Sequence, residues 1–243
     1  MKTLLSLFDY SGTWSEPYFN AGWNVHQWDI KLDELMDINS IELAEMALDL
    51  FEDVDGVLAA VPCTDFANSG AQYWQRKDKT GQTLESLELV YQVMRLADLF
   101  TPTDPDYYDE GGSFFWTMEN PVGRIGKLNP ELEKPLYFNP CDFAGYLNLT
   151  DSDHNELERI RRKDGTNVNR DEIDFVLKCE AYTKKTGLWG EFNRNLVKNP
   201  IEPVRVCKQG SPMQVYGGKS ANTKEKRSIT PLGFSKAFFN ANN

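Results

Sequence analysis

Gly56-Val57-Leu58-Ala59-Ala60-Val61-Pro62-Cys63-Thr64-Asp65-Phe66 decides the fold. An unbroken apolar run closed by a proline reads as a strand buried on both faces of a parallel sheet. Its end lies at the carboxyl edge, where open α/β sheets bind ligands. A cysteine at that edge is either a small buried hydrophobe or a nucleophile. Phe114-Phe115-Trp116-Thr117-Met118-Glu119-Asn120-Pro121 repeats the pattern and delivers a carboxylate. A thiol and an acid at two adjacent strand ends suit a nucleophile and a proton handler.

Working outward, residues 3–8 form a first strand, since Asp9 and Gly12 interrupt the run before an apolar region of signal-peptide length develops. Ser15 caps a short helix that Gly22 stops, and residues 24–28 form a second strand ending at Asp29. Residues 41–51 have the spacing of an amphipathic helix, and residues 56–61 are the third strand. This βαβαβ order predicts a doubly wound, mostly parallel α/β sheet. Residues 67–83 are polar and glycine-containing and read as a long loop; residues 84–100 follow as a helix with Leu87, Val90, Met94 and Ala97 on one face. Residues 101–112 read as an acidic turn region, and residues 151–163 and 170–180 as two charged helices. Phe234, Ala237 and Phe238 mark a final amphipathic helix.

The 243 residues, with 6 Trp, 10 Tyr and 14 Phe, fit one substantial α/β domain or a domain with a small lobe. Four widely spaced cysteines without CxxC, and two lone histidines, His26 and His154, argue against structural zinc. Reduced thiols and the lack of any membrane-length apolar run lead to the expectation of a cytoplasmic protein without a membrane partner. The net charge of −11 argues against a simple DNA-coating protein. Its distribution is uneven: residues 1–60 hold two basic and twelve acidic side chains, residues 184–243 eleven basic and three acidic. Both a polyanion held on one face and a merely solvated surface fit this pattern.

Phe8-Asp9-Tyr10-Ser11-Gly12-Thr13-Trp14-Ser15 joins the first strand to the first helix. A glycine there lets backbone approach a ligand, and a helix N-terminus adds donors. Asp29 ends the second strand, where an acid accepts hydrogen bonds from ribose hydroxyls.

In this order, the pieces resemble the DNA cytosine-5 methyltransferase family, especially its compact phage and prophage members. Phe8, Tyr10 and Gly12 stand at the places of the family's Phe-x-Gly-x-Gly loop for S-adenosylmethionine, with Tyr10 replacing the first glycine. Asp29-Ile30 matches the ribose acid and its neighbour, and Asp37-Ile38 the adenine-contacting pair. Pro62-Cys63 matches the catalytic Pro-Cys, Glu119-Asn120 the Glu-Asn pair, and Arg227-Ser228-Ile229-Thr230 a late Arg-x-Leu-Thr element. The family's Gln-x-Arg-x-Arg falls on Tyr182-Thr183-Lys184-Lys185-Thr186-Gly187-Leu188-Trp189, where Lys185 supplies one charge and Gly187 replaces the other arginine. Lysine lacks arginine's bidentate fork.

The resemblance implies a Rossmann-like methyltransferase domain at residues 1–193 with a helical insertion near 147–181. A short recognition-like segment follows at 194–226, then a C-terminal helix at 227–243 packing back on the catalytic domain. It implies a monomer that methylates carbon 5 of a cytosine flipped out of duplex DNA, in a phage or restriction-modification setting. Cys63 adds to the ring, Glu119 holds it and Lys185 assists. S-adenosylmethionine lies against Phe8, Asp9, Tyr10, Ser11, Gly12, Thr13, Trp14, Asp29, Ile30, Asp37, Ile38 and Pro62. Asn68, Ser69, Gly70, Lys184, Lys219, Lys224, Arg227 and Thr230 contact DNA. Two other readings fit the same residues: a related enzyme acting on RNA or a free pyrimidine nucleotide, and a non-catalytic binding protein of the same fold.

Overall fold

The computed structural model describes residues 1–34, 36–38, 54–103, 113–215 and 226–243. The expected helix at 41–51, most of the turn region at 101–112, Lys219 and Lys224 lie outside the described residues. The chain forms two compact units: residues 1–136, 187–194 and 242–243 make the first, residues 137–186 and 195–241 the second. The protein is α/β. Six strands, β1 (Thr3–Leu7), β2 (Asn24–Trp28), β3 (Gly56–Ala59), β4 (Phe115–Pro121), β5 (Leu136–Phe138) and β6 (Thr186–Trp189), form one sheet in the order β2-β1-β3-β4-β6-β5. The pairings β1–β2, β1–β3 and β3–β4 are all parallel.

Burial along the strands follows their composition. The apolar β1 and β3 are buried at every residue, as central parallel strands require. The sheet ends on one side with β2, whose Asn-Val-His-Gln-Trp sequence is only half-buried until Trp28. In register, Leu7 faces Ala59 and Ala59 faces Met118, so one face carries Leu5, Leu7, Val57, Ala59 and Met118. Helix α3 (Gln82–Phe100) covers that face with Leu87, Val90, Val93 and Leu96. On the opposite face Phe115 stacks with Tyr18 of helix α1 (Glu16–Asn20) at 5.9 Å. Helices therefore lie on both faces, as the βαβ rhythm predicts.

Three local expectations change. The third strand stops at Ala59 rather than residue 61: Ala60 N still donates to Leu7 O at 3.0 Å, but Pro62 has no N–H to carry the ladder on. The expected loop at 67–83 is mostly helical. A 3-10 helix (Asn68–Tyr73) runs into α2 (Trp74–Lys79), and Thr80 and Gly81, the latter at φ +82°, separate α2 from α3. Tertiary burial of Lys77 drives this, overriding a segment with little periodicity of its own. Ser15 precedes α1 but does not cap it, because its hydroxyl serves Asp9.

The first unit also contains α4 (Ile125–Leu128). The second unit has its own core. Leu157 and Ile160 of α5 (Asp151–Arg161) pack with Ile173 and Val176 of α6 (Arg170–Lys178), Tyr182, Val204 and Val206. Thr150 and Asn169 start these helices with reciprocal capping boxes. Glu172 is buried against Lys163 at 2.8 Å and Arg159 at 2.6 Å; the Lys163 ammonium first, then the Asn169 N–H and Arg159, hold its carboxyl down at about 2 against the effect of burial. A short helix, α7 (Pro212–Val215), lies in the same unit. In the final helix, α8 (Leu232–Ala241), Phe234 stacks on Phe138 at 4.0 Å.

The start of α8 is held by Glu180, whose carboxylate accepts from Leu232 N at 2.5 Å and Gly233 N at 3.0 Å. Burial pushes this carboxyl from 4.5 up to about 7, against the two N–H donors and Lys236. A raised acid pKa means that the folded state retains a proton the unfolded chain has lost. Its stabilising effect is full below about pH 4.5 and is lost as pH rises through about 7. The shift corresponds to about 3 kcal/mol across that window. Urea unfolding between pH 5 and 8 should therefore show stability falling in the wild type and falling less in Glu180→Gln, which cannot ionise.

Candidate active site at the carboxyl edge

Four successive strand ends meet at one edge of the sheet, because β2, β1, β3 and β4 are neighbours and parallel. Chain order reverses between β1 and β3, which makes their ends the topological switch point.

At the end of β1, Phe8 takes a left-handed backbone (φ +60°), uncommon outside glycine, and donates its N–H to Trp28 O at 2.8 Å. The next seven residues wrap around the buried Asp9 carboxylate. Oδ2 accepts from Ser6 Oγ (2.9 Å), Ser15 Oγ (2.9 Å) and Ser15 N (3.1 Å), and Oδ1 from Ser11 Oγ (3.3 Å). Burial raises the Asp9 pKa and these donors oppose the rise. The Asp9 carbonyl accepts Gly12 N at 3.0 Å and Gln27 Nε2 at 2.8 Å. Gly12 closes the loop at φ +68°, a left-handed backbone that favours glycine. The donors expected at the start of α1 are already used: Ser15 N by Asp9, Glu16 N by Gly12 O.

The other cofactor-site candidates divide between surface and interior. Tyr10, Ser11 and Ile30 are exposed, and the Lys31 ammonium sits 4.9 Å from the centre of the Tyr10 ring. Asp29 is half-buried at the end of β2, and its Oδ1 accepts Lys31 N at 2.8 Å. Asp37 and Pro62 are exposed and Thr13 is half-buried. Trp14 and Ile38 are interior: Trp14 is fully buried and Ile38 packs in the core under the sheet, so both support the edge from within.

Cys63 is half-buried four residues beyond Ala59. Glu119 directly follows Met118, the register partner of Ala59, and is 6 % exposed. Beside it, Asn120 ties the two strand ends together by donating Nδ2 to Val61 O at 3.0 Å. None of the four cysteines is in a disulfide. Burial pushes Cys141 and Cys179 up to about 11, which leaves both protonated at neutral pH. Cys63 is the cysteine at the carboxyl edge.

The turn after Cys63 is closed by two backbone bonds, from Phe66 N (3.1 Å) and Ala67 N (2.9 Å) to Cys63 O. It leads straight into the 3-10 helix, where Asn68 and Ser69 are exposed and Gly70 lies over the Thr64 carbonyl. The structure therefore keeps Asn68, Ser69 and Gly70 on the same short stretch as Cys63. Gly123, after β4, passes so close to this turn that a Cβ would fall 1.8 Å from Phe66 O.

Sequence reasoning missed the charged groups beneath the turn. Lys77 and Asp65 form an ion pair, both buried. Arg124 grips Asp78 with both Nη atoms, at 2.9 and 2.8 Å, and lies 4.7 Å from the Trp74 ring centre. The available signal was an acid two residues after Cys63 and an arginine five residues after Glu119, each too short-ranged to name its partner.

No protein-family model matches this chain, and no curated protein matches it.

The remaining candidates, Lys184, Lys185, Arg227 and Thr230, belong to the second unit. The Lys184 ammonium donates to Arg227 O at 2.9 Å, and that of Lys185 lies 4.5 Å from the Tyr137 ring centre. Thr230 is buried, which turns its side chain to packing within the fold rather than to a surface ligand. Among the described residues, no group of three His, Cys, Asp or Glu side chains could hold a metal ion, and no helix is long and apolar enough to cross a membrane.

Proposed function

We propose that this protein transfers a methyl group from S-adenosylmethionine to carbon 5 of a cytosine flipped out of DNA, on a Rossmann-like methyltransferase fold. The observation that carries the reading is the shared edge. The Asp9 loop, Asp29, Cys63 and Glu119 come from four neighbouring parallel strands, two on each side of the switch point.

The donor set suits S-adenosylmethionine. Asp29 has accepted one backbone hydrogen bond, and a carboxylate has capacity for about four, so ribose hydroxyls find acceptors there. Tyr10 and Ile30 present apolar surface for an adenine ring. When bound, the cofactor supplies a methyl group on a positively charged sulfur, an electrophile that an unactivated cytosine ring does not attack.

Activation falls to Cys63. Its thiolate adds to carbon 6, forming an S–C bond and moving the ring electron pair toward carbon 5, which becomes nucleophilic. Glu119 holds N3 and the exocyclic amine and stabilises the charge that develops as sulfur attacks. Carbon 5 would take the methyl group as its bond to the sulfonium sulfur breaks, leaving a neutral thioether; loss of the carbon 5 proton to water then returns the electron pair, re-forms the ring double bond and expels the Cys63 thiolate. A base stacked in a duplex is out of reach of such an edge, hence the flipped cytosine.

Methyl transfer from radiolabelled cofactor, with duplex DNA, RNA and dCMP in competition, tests the acceptor. DNA is expected to take the label and to be displaced by neither competitor. Label in RNA or dCMP at the expense of DNA would move the reading to the related pyrimidine enzymes.

A further inference from the structure

Four consecutive carbonyls, from Cys63 to Phe66, each have an assigned donor. Cys63 O takes the two N–H groups that close the turn. Thr64 O accepts from Lys77 Nζ at 2.7 Å, Asp65 O from Arg124 Nε at 3.0 Å, and Phe66 O from Arg124 N at 2.9 Å. Two buried cations from different elements thus grip one turn of backbone.

Neither cation is free to drift. Lys77 is paired with Asp65, which also accepts from Gln82 Nε2 at 3.1 Å and Ser86 Oγ at 2.5 Å. Arg124 uses its whole fork: Nε on the turn, both Nη atoms on Asp78, and Nη2 also on Thr83 Oγ1 at 2.8 Å. Thr83 in turn donates to Asp78 Oδ1 at 2.6 Å, and the Trp74 ring covers the guanidinium. A planar fork bonded through all three of its nitrogens fixes position as well as charge, which a lysine in its place would not do. Solubility does not require this arrangement, since burying paired charges costs solvation that apolar residues would not.

We infer that Arg124 and Lys77 are positioning residues: a cationic clamp that sets the backbone behind Cys63 and thereby aims its sulfur at the substrate carbon. The inference rests on the methyltransferase reading for the word substrate, but not for the clamp itself. A reacting atom displaced by 1 Å loses on the order of 10²-fold in rate, so a clamp acting on the turn is felt in kcat before it is felt in binding.

The test is Arg124→Lys, which keeps the charge and loses the fork. Thr83→Val is the milder second variant, loosening one Nη2 contact should the first not fold. Cofactor affinity by calorimetry, amide hydrogen exchange at Phe66 and Ala67, and kcat and KM for methyl transfer are measured on each. In Arg124→Lys, exchange at Phe66 and Ala67 is expected to rise at least about tenfold while β1 stays protected, and kcat to fall about 10²-fold with KM and cofactor affinity unchanged. Thr83→Val is expected to move the same quantities in the same direction by less. Unchanged exchange at Phe66 and Ala67 in both variants, or unchanged kcat despite faster exchange, would overturn the clamp. If wild-type protein transfers no methyl group, the methyltransferase reading fails by itself. The clamp is then judged on exchange and on the rate at which iodoacetamide alkylates Cys63, which must differ between Arg124→Lys and wild type.

Discussion

On the proposed mechanism, Cys63→Ala is expected to lower methyl transfer by at least about 10³-fold and to leave the protein folded. The size follows from the role. Losing a covalent nucleophile forfeits the whole covalent route rather than one hydrogen bond, and nucleophile deletions sit at the upper end of mutational effects on rate. The structural side of the change is small. Cys63 is half-buried, its carbonyl rather than its sulfur closes the turn, and alanine keeps that backbone. Rate and stability therefore separate: circular dichroism and cofactor calorimetry should match wild type while label transfer vanishes. Transfer at the wild-type rate would show that Cys63 is one more small hydrophobe, the usual fate of cysteine.

Glu119→Gln follows with a loss of about 10²–10³ in kcat, the range for removing one preorganised group that stabilises transition-state charge. The amide fills the same volume at a position that is 6 % exposed, so packing is kept. Charge and the capacity to hold a proton toward the ring are lost. The effect is smaller than at Cys63 because the covalent route survives. It is expected in kcat, with cofactor binding unchanged, since the proposal assigns that partner to Asp29 and the Asp9 loop. Steady-state kinetics with calorimetry on the same preparation measures both. A loss confined to KM would make Glu119 a binding residue only.

Strands β1 to β4 were legible because they advertise themselves, whereas the short β5 and β6 were not. The apolar runs of β1 and β3 match full burial, and the polar mixture in β2 matches a strand at the end of the sheet. The edge positions of Asp29, Cys63 and Glu119 follow from strand ends and need no tertiary knowledge. Features that depend on distant partners were not legible. Nothing near Ser15 shows that its hydroxyl turns back to Asp9 instead of capping α1. The 67–83 segment lacks helical periodicity, and its helices form around Lys77 and Trp74, whose partners lie on the turn after Cys63 and beyond β4. Arg124 and Asp78 stand 46 residues apart, and a charge count cannot say which of many acids an arginine meets. Glu180 is likewise an ordinary acid in the sequence, and only the fold lays it against the start of α8, 52 residues on.

Nucleoside mass spectrometry on DNA from methylation-deficient cells expressing this protein, beside Cys63→Ser, tests the central claim most directly. The account predicts 5-methyldeoxycytidine in the wild-type sample and none in the variant. Its absence from both samples, with soluble folded protein in each, would contradict DNA methylation, and its presence in both would contradict Cys63 as the nucleophile.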